Sequence, residues 1–239
     1  GFGLVLALMI ALTGFGIQKV DFIERTLTEI TDVNAVKQRY AINFRGSVHD
    51  RAISLRDVTL LESPADLTAT LAEIDRLSAF YSEAAQALDS IFAADNTIAD
   101  EEKALLAAIK SIEQRTLPLA SQIIAARQAG DIDSARRILL TQARPALSDW
   151  LASINRFIDY QEEKNRVATA HARTVAGQFA LFMISLCGLA ILIGSAIAWG
   201  ITRRLKLALG GEPEVAARIV SKIAAGDLTT PISASNPNS

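Results

Sequence analysis

The sequence of 239 residues contains one cysteine, Cys187, and two histidines, His49 and His171. A single cysteine excludes an internal disulfide framework, and histidines so far apart cannot form a His-x-x-x-His metal motif. Only 13 glycines and 6 prolines are present, and Asn-Gly and Asp-Gly turn pairs are lacking, which disfavours a hairpin-rich β fold. The sequence also has no phosphate loop and no pairing of carboxylates with a nucleophile. We therefore predict an all-α protein that is not an enzyme and has no metal site, no cofactor and no nucleic-acid partner.

Apolar residues make up 50% of the chain and charged residues 21%, so the two kinds must be segregated along the sequence. Charge is absent from residues 1–17 and from residues 176–201. Because a spanning helix needs roughly 20 apolar residues, we predict a first transmembrane helix over 1–20, truncated at its start, and a second over 176–201.

The orientation of these spans follows from the basic residues that come directly after the second one, Arg203, Arg204 and Lys206. Cytoplasmic loops carry an excess of Lys and Arg, so residues 202–239 are predicted to be cytoplasmic. The segment 21–175 joins the two spans and must then lie on the other side of the membrane.

Helix start and stop signals divide the segment 21–175 into four stretches. Ser63-Pro64 is a capping serine before a proline at the first helical position, Ala93 to Thr97 forms a turn, and Gly130-Asp131 ends one helix and begins another. Short connections between long helices imply antiparallel neighbours. The prediction is an up-down four-helix bundle with helices over 21–62, 65–93, 97–129 and 132–175.

The first helix carries a stripe of residues at alternating steps of four and three, typical of the buried seam of a bundle. Most of the stripe is apolar, and polar residues interrupt it at three positions, Asn34, Lys37 and Arg51. The full stripe is Ile23, Leu27, Ile30, Asn34, Lys37, Ala41, Phe44, Val48, Arg51, Leu55 and Val58.

A basic cluster lies on a segment that is acidic as a whole, since 21–175 holds 18 Lys plus Arg against 23 Asp plus Glu. The basic cluster lies on the first helix, where Arg45, His49 and Arg56 share one face. This face is beside the stripe that carries Arg51. Solvated arginines that pair with neighbouring carboxylates are the alternative interpretation.

Height along the bundle supports a binding site. Arg51, Arg76 and Arg144 each lie roughly 17–18 Å from the same end of the predicted bundle, at 1.5 Å per residue. Arginine pairs bidentately with carboxylates, so this layer suits a small organic anion. Additional hydroxyl and amide contacts are available from Tyr81, Thr141 and Gln142. Pro145, inside the fourth helix, is expected to loosen the turn before it and either bends the helix or shapes the site.

The tail after the second span resembles the beginning of a HAMP linker, the coiled-coil module that joins receptor membrane helices to output domains. The matching residues are Gly210-Gly211-Glu212-Pro213 and, further on, Ile223-Ala224-Ala225-Gly226-Asp227-Leu228.

The rest of the chain resembles bacterial methyl-accepting chemotaxis receptors with a four-helix-bundle sensor. The resemblance rests on YAINFRGSVHDRAISLRDV (40–58), EEKALLAAIKSIE (101–113), LPLASQIIAARQAGDIDSARRILL (117–140) and ARPALSDWLASINRFIDYQEEK (143–164). It implies a multi-pass protein of the inner membrane, with 21–175 in the periplasm. It also implies a homodimer or higher oligomer that dimerises along its first helix and signals to cytoplasmic chemotaxis proteins through an output domain.

The resemblance also implies a ligand site, in which arginines of the first helix from both subunits and residues of the fourth helix hold a small acid. By position these residues are Arg45, His49, Arg51 and Arg56, with Thr141, Gln142 and Arg144 before Pro145. The first-helix arginines are spaced differently from those of amino-acid sensors, so a di- or tricarboxylate is predicted. A receptor for an amino acid, a receptor for a partner protein, and the sensor half of a histidine kinase or cyclase are the alternatives.

Overall fold

The computed structural model describes residues 2–208, 217, 220–221 and 223–226, and the elements within these ranges are helices. The first and the last of the long helices are each interrupted by a π-helical turn. In chain order the elements are α1 (Phe2–Thr28), π1 (Glu29–Asn34), α2 (Ala35–Val58), α3 (Pro64–Ala94), α4 (Asp100–Gln128), α5 (Ile132–Ile138), π2 (Leu139–Ala143) and α6 (Arg144–Ala208).

Contacts between side chains give the directions of the helices in the first of two compact units, Gly1–Ala176. Ser47 Oγ donates to the carbonyl oxygen of Leu77 at 2.7 Å, whereas Lys37 Nζ lies 5.5 Å from the ring centroid of Phe92. The earlier residue of α2 thus meets the later residue of α3, so the two helices are antiparallel. The predicted four-helix bundle is confirmed in this unit.

The turns between helices use the predicted caps. The Ser63 hydroxyl accepts a hydrogen bond from the Asp66 amide, and the Asp131 carboxylate accepts one from the Ser134 amide at 2.9 Å. Gly130 has φ +81°, the left-handed conformation in which a helix commonly ends. Both signals read from the sequence therefore work as caps.

Two helix ends differ from the prediction by three or four residues. The α4 helix begins at Asp100 instead of 97, because the Asp95 carboxylate accepts hydrogen bonds from the amide and hydroxyl of Thr97 and holds that residue in a turn. The α2 helix ends at Val58 instead of 62. Arginines from elsewhere bind the carbonyl groups at this end and just beyond it: Arg127 donates to Val58 and Leu61 at 3.0 and 2.7 Å, and Arg136 donates to Thr59 at 3.3 Å.

The predicted stripe on the first helix is buried over most of its length. From Asn34 onward every member has an exposed fraction of 5% or less, and the earlier Leu27 is 51% exposed. The three polar members are therefore buried inside the bundle. The buried members are Asn34, Lys37, Ala41, Phe44, Val48, Arg51, Leu55 and Val58.

Glu102 on α4 balances the charge of Lys37 inside the bundle. Both side chains are almost completely buried, and Lys37 Nζ donates to Glu102 Oε1 at 2.8 Å. From α6, Gln161 donates to Glu102 Oε1 at 2.7 Å and Lys164 donates to Oε2 at 3.4 Å. Burial works against ionisation of Glu102, but these hydrogen bonds and the two lysine charges outweigh it and hold the pKa of Glu102 below its ordinary value. We call these four side chains the Glu102 cluster.

The second unit, Gly177–Ser239, includes the apolar end of α6. Among the described residues one continuous helical stretch is long and apolar enough to cross a membrane by length and composition. It runs over Ile132–Leu205, through α5, π2 and most of α6, and has a mean hydropathy of 2.4 over its most apolar window. The other predicted span, residues 1–20, is helical from Phe2 onward. The predicted HAMP segment, 202–239, lies largely outside the described residues.

We expect Glu102→Gln to lower the free energy of unfolding by about 3 kcal/mol at neutral pH, because it leaves Lys37 buried without a counter-charge. Since the folded pKa of Glu102 is depressed, its contribution is present above pH 4.5, the ordinary value, and is lost as pH falls through the folded pKa. Urea unfolding of the chain in detergent micelles, followed by circular dichroism, measures both effects.

The matched control is Glu163→Gln, which removes an exposed ion pair with Arg166 and is expected to leave the free energy of unfolding nearly unchanged. Equal losses in the two variants, or a loss in Glu102→Gln that persists unchanged at acid pH, would contradict this account.

Candidate functional site

A groove of about 460 Å³ lies between α2 and the start of α6, and we call it the α2–α6 groove. Three side chains that can be cationic line it: His49 and Arg56 from α2 and Arg144 from α6. The rest of the lining is apolar apart from Ser148, and consists of Ala52, Ile53, Leu139, Leu140, Leu147 and Leu151. A groove with cationic groups around an apolar surface suits an organic anion that has a hydrocarbon part.

The helix spacing explains why these residues meet. His49, Ile53 and Arg56 follow one another at steps of four and three and so share a face of α2. On the other side, π2 ends directly before Arg144 and Pro145. Proline has no backbone N–H and its ring crowds the carbonyl four residues earlier, so a widened turn at this place relieves both conflicts. The π-helical turn before Pro145 agrees with the prediction that this proline loosens the preceding turn, whereas Pro118 lies inside an uninterrupted α4.

The other predicted site residues on the surface do not line the groove. Arg45 is exposed one turn before His49, and Thr141 and Gln142 are exposed within π2, where the Thr141 hydroxyl donates to the Arg137 carbonyl at 2.7 Å. Arg76 lies on α3 and is bound bidentately by Glu73 at 2.6 and 2.7 Å. For Arg76 the structure therefore agrees with the alternative interpretation, a solvated arginine that pairs with a neighbouring carboxylate.

Arg51 and Tyr81 lie in the interior of the bundle, apart from the groove. The Arg51 guanidinium carbon is 5.2 Å from the ring centroid of Tyr81 and 5.0 Å from that of Trp150. Its Nη1 donates to Ser78 Oγ at 3.2 Å. The predicted arginine layer is thus divided among the groove, which holds Arg144, this interior cluster, which holds Arg51, and the exposed face of α3, which holds Arg76. Equal height along the bundle does not set which way each side chain faces.

A carboxylate from α4 completes the surroundings of the interior cluster. The Tyr81 hydroxyl donates to Glu113 Oε2 at 3.1 Å. Burial raises the pKa of Glu113. Burial also raises the pKa of Tyr81, and the neighbouring Glu113 carboxylate raises it further. Ser78, Glu113 and Trp150, which is 1% exposed, were not among the site residues predicted from the sequence. The available signal was spacing for two of them, since Glu113 follows the buried Ile109 by four residues and Trp150 follows the buried Leu147 by three.

A metal site is not indicated in the part of the chain that the structure describes, where no three residues among His, Cys, Asp and Glu are grouped as metal ligands would be.

Two buried cations on the same stripe are expected to respond in opposite ways to replacement by methionine. Lys37→Met leaves Glu102 without its closest cation and should lower the free energy of unfolding by about 3–5 kcal/mol. Arg51→Met removes a buried charge that no carboxylate contacts, and should leave that free energy unchanged or raise it by up to about 2 kcal/mol. Urea unfolding compares them, and a large loss of stability in Arg51→Met would show that Arg51 is a structural residue.

The comparisons with known proteins agree with this fold. A family model described as a four helix bundle sensory module for signal transduction matches residues 1–176. No curated protein and no solved structure matches the chain significantly. The matched region includes the whole bundle, the groove and the interior cluster, and the family is a sensor module and not a catalytic domain. The chain therefore belongs to the family of four-helix-bundle sensory modules found in methyl-accepting chemotaxis proteins.

Proposed function

We propose that this chain is the sensory half of a transmembrane chemoreceptor of the bacterial inner membrane, with a periplasmic bundle at 21–175 that binds a small di- or tricarboxylate. The proposed order is a first transmembrane helix at 1–20, the bundle, a second transmembrane helix at 176–201, and the start of a HAMP linker at 202–239. The linker would lead to an output domain that acts on cytoplasmic chemotaxis proteins.

The observation that carries the proposed ligand class is the convergence of His49, Arg56 and Arg144 on the α2–α6 groove. The two guanidinium groups come from opposite walls, so each can pair with a different carboxylate of the same molecule. Arg56 donates to the neighbouring Asp57 carboxylate at 3.3 and 3.4 Å, and a ligand carboxylate would replace this exposed contact. The apolar lining between them can contact the carbon chain that joins those carboxylates. An amino acid is a poorer match, because no carboxylate lines the groove to bind its ammonium group.

We also propose a homodimer that forms along α2. A stripe of exposed residues runs along this helix at alternating steps of three and four, which is the spacing of a coiled-coil seam. Gly46 lies in this stripe, and no atom is within 4 Å of the place where its Cβ would be, so a second helix can approach closely there. The exposed stripe consists of Arg39, Ile42, Gly46, His49, Ile53 and Arg56.

Charge links the dimer to the ligand. Dimerisation along this stripe brings Arg39 and Arg56 of one subunit towards the same residues of the other, and like charges that approach one another oppose association. His49 and Arg56 belong to both the stripe and the groove. A di- or tricarboxylate in the groove would offset this repulsion, so ligand binding and one packing of the dimer should favour each other.

Isothermal titration calorimetry of the chain in detergent micelles with succinate, malate and citrate tests the ligand class. We expect at least one of these acids to bind, and Arg56→Ala and Arg144→Ala each to weaken that binding by about 10- to 100-fold, which corresponds to the loss of a charge-assisted hydrogen bond. The matched control is Arg166→Ala on α6, whose guanidinium is bound by Glu163, and which should bind as the wild type does. Absence of heat with all three acids would refute the ligand class.

Disulfide crosslinking tests the dimer. In a Cys187→Ser background, which removes the one native cysteine, Ile53→Cys should form a crosslinked dimer, and a bound carboxylate should increase its yield. The control is Ser82→Cys, which is exposed on α3 away from the stripe. Equal crosslinking at positions 53 and 82 would indicate random collision and contradict a dimer along α2.

A further inference from the structure

Arg51 is a buried cation with most of its hydrogen-bonding capacity unused. Its exposed fraction is 5%, and Ser78 is the partner of Nη1. The remaining nitrogens, Nε and Nη2, have no hydrogen-bond partner, and neither has Nε1 of the adjacent Trp150. A guanidinium remains charged in proteins, so burying it in this state is costly.

The contrast with Lys37 shows that the cost is particular to this position. Lys37 lies on the same buried stripe and has the carboxylate of Glu102 at 2.8 Å. The carboxylate that acts electrostatically on Arg51 is Glu113, whose Oε2 instead accepts a hydrogen bond from the Tyr81 hydroxyl. Burial lowers the pKa of Arg51, against the opposite effect of Tyr81 and Glu113. A buried residue that is kept at a cost to stability is typical of a functional position.

The arrangement of the free nitrogens indicates which chemical group they fit. The N–H bonds of Nε and Nη2 are parallel and lie on one edge of the guanidinium plane, the geometry that binds both oxygens of a carboxylate. The rings of Tyr81 and Trp150 cover Arg51 at 5.2 and 5.0 Å, which keeps the group in place and excludes water. The Trp150 N–H, another buried donor without a hydrogen bond of good geometry, is close to the Tyr81 hydroxyl.

We propose that Arg51 and Trp150 form a second ligand site, inside the bundle, that binds the carboxylate of a small monocarboxylic acid. This site goes beyond the α2–α6 groove, because its residues face the interior and Arg51 does not line the groove. The ligand must be small, because aromatic side chains enclose the fork. Since Arg51 belongs to the first helix and Trp150 to the last, an occupied site would bind these two helices to each other.

The test uses the fluorescence of Trp150. In the full chain in detergent micelles, Trp199→Phe leaves Trp150 as the one tryptophan of the sequence. Titration with sodium acetate should change its emission in a saturable manner, and sodium chloride at equal ionic strength should not. Arg51→Lys keeps the charge but lacks the fork, and should weaken acetate binding about tenfold or more. Circular dichroism verifies that this variant is folded.

Two further variants keep the proposal falsifiable. Arg51→Met, for which we expect unimpaired folding, should abolish the acetate signal. Glu113→Gln removes the one competing carboxylate of the cluster, and should leave acetate affinity unchanged or increase it.

Three outcomes would overturn the interior site. One is a wild-type emission that does not respond to acetate. Another is an acetate signal that disappears in Arg144→Ala but not in Arg51→Lys, which would assign the binding to the groove. The third is an emission change in Glu113→Gln without any added acid, combined with no acetate response, which would identify Glu113 as the partner of Arg51 in solution.

Discussion

The rest of the bundle depends on the burial of Glu102. A carboxylate in an apolar interior is stable only if cations and donors surround it, and this one is contacted by Lys37 from the first helix and by Gln161 and Lys164 from the last. These contacts join three helices at one point. A slide of either partner helix by one turn would separate the charges, so the Glu102 cluster sets the register of the first and last helices against α4.

The contact of Lys37 with Glu102 fixes the rotation of α2 about its axis and therefore the direction in which its remaining side chains point. Arg51 follows Lys37 by two heptads and must therefore point into the same interior, where it meets Tyr81 and Trp150. His49 and Arg56 are rotated away from Arg51 by more than a quarter turn of the helix, since successive residues advance by about 100°. The same constraint thus divides one basic cluster between an interior position and a surface groove.

Features that depend on spacing along a single helix could be predicted from the sequence, whereas contacts between different helices could not. The stripe from Asn34 to Val58, the cap at Ser63 and the turn at Gly130 follow from spacing and local backbone chemistry, and each was predicted. The partnership of Lys37 with Glu102 and the binding of the α2 carbonyls by Arg127 were not, because they depend on the rotation of one helix about its axis relative to another. The arginine layer was divided for the same reason, since counting residues gives height and not direction.

Three of the places where the first and last helices of the bundle meet have different consequences for a signal. The Glu102 cluster holds both helices to α4, the proposed groove lies between their outer faces, and the proposed interior site lies between Arg51 and Trp150. A ligand in either site would contact the first and last helices without contacting Glu102. It can shift the equilibrium between two packings only by the difference in its affinity for them, and the Glu102 cluster opposes any packing that separates its charges. The movements open to a ligand are therefore those that pivot about this cluster, which would make Glu102 the fixed point of the proposed sensor.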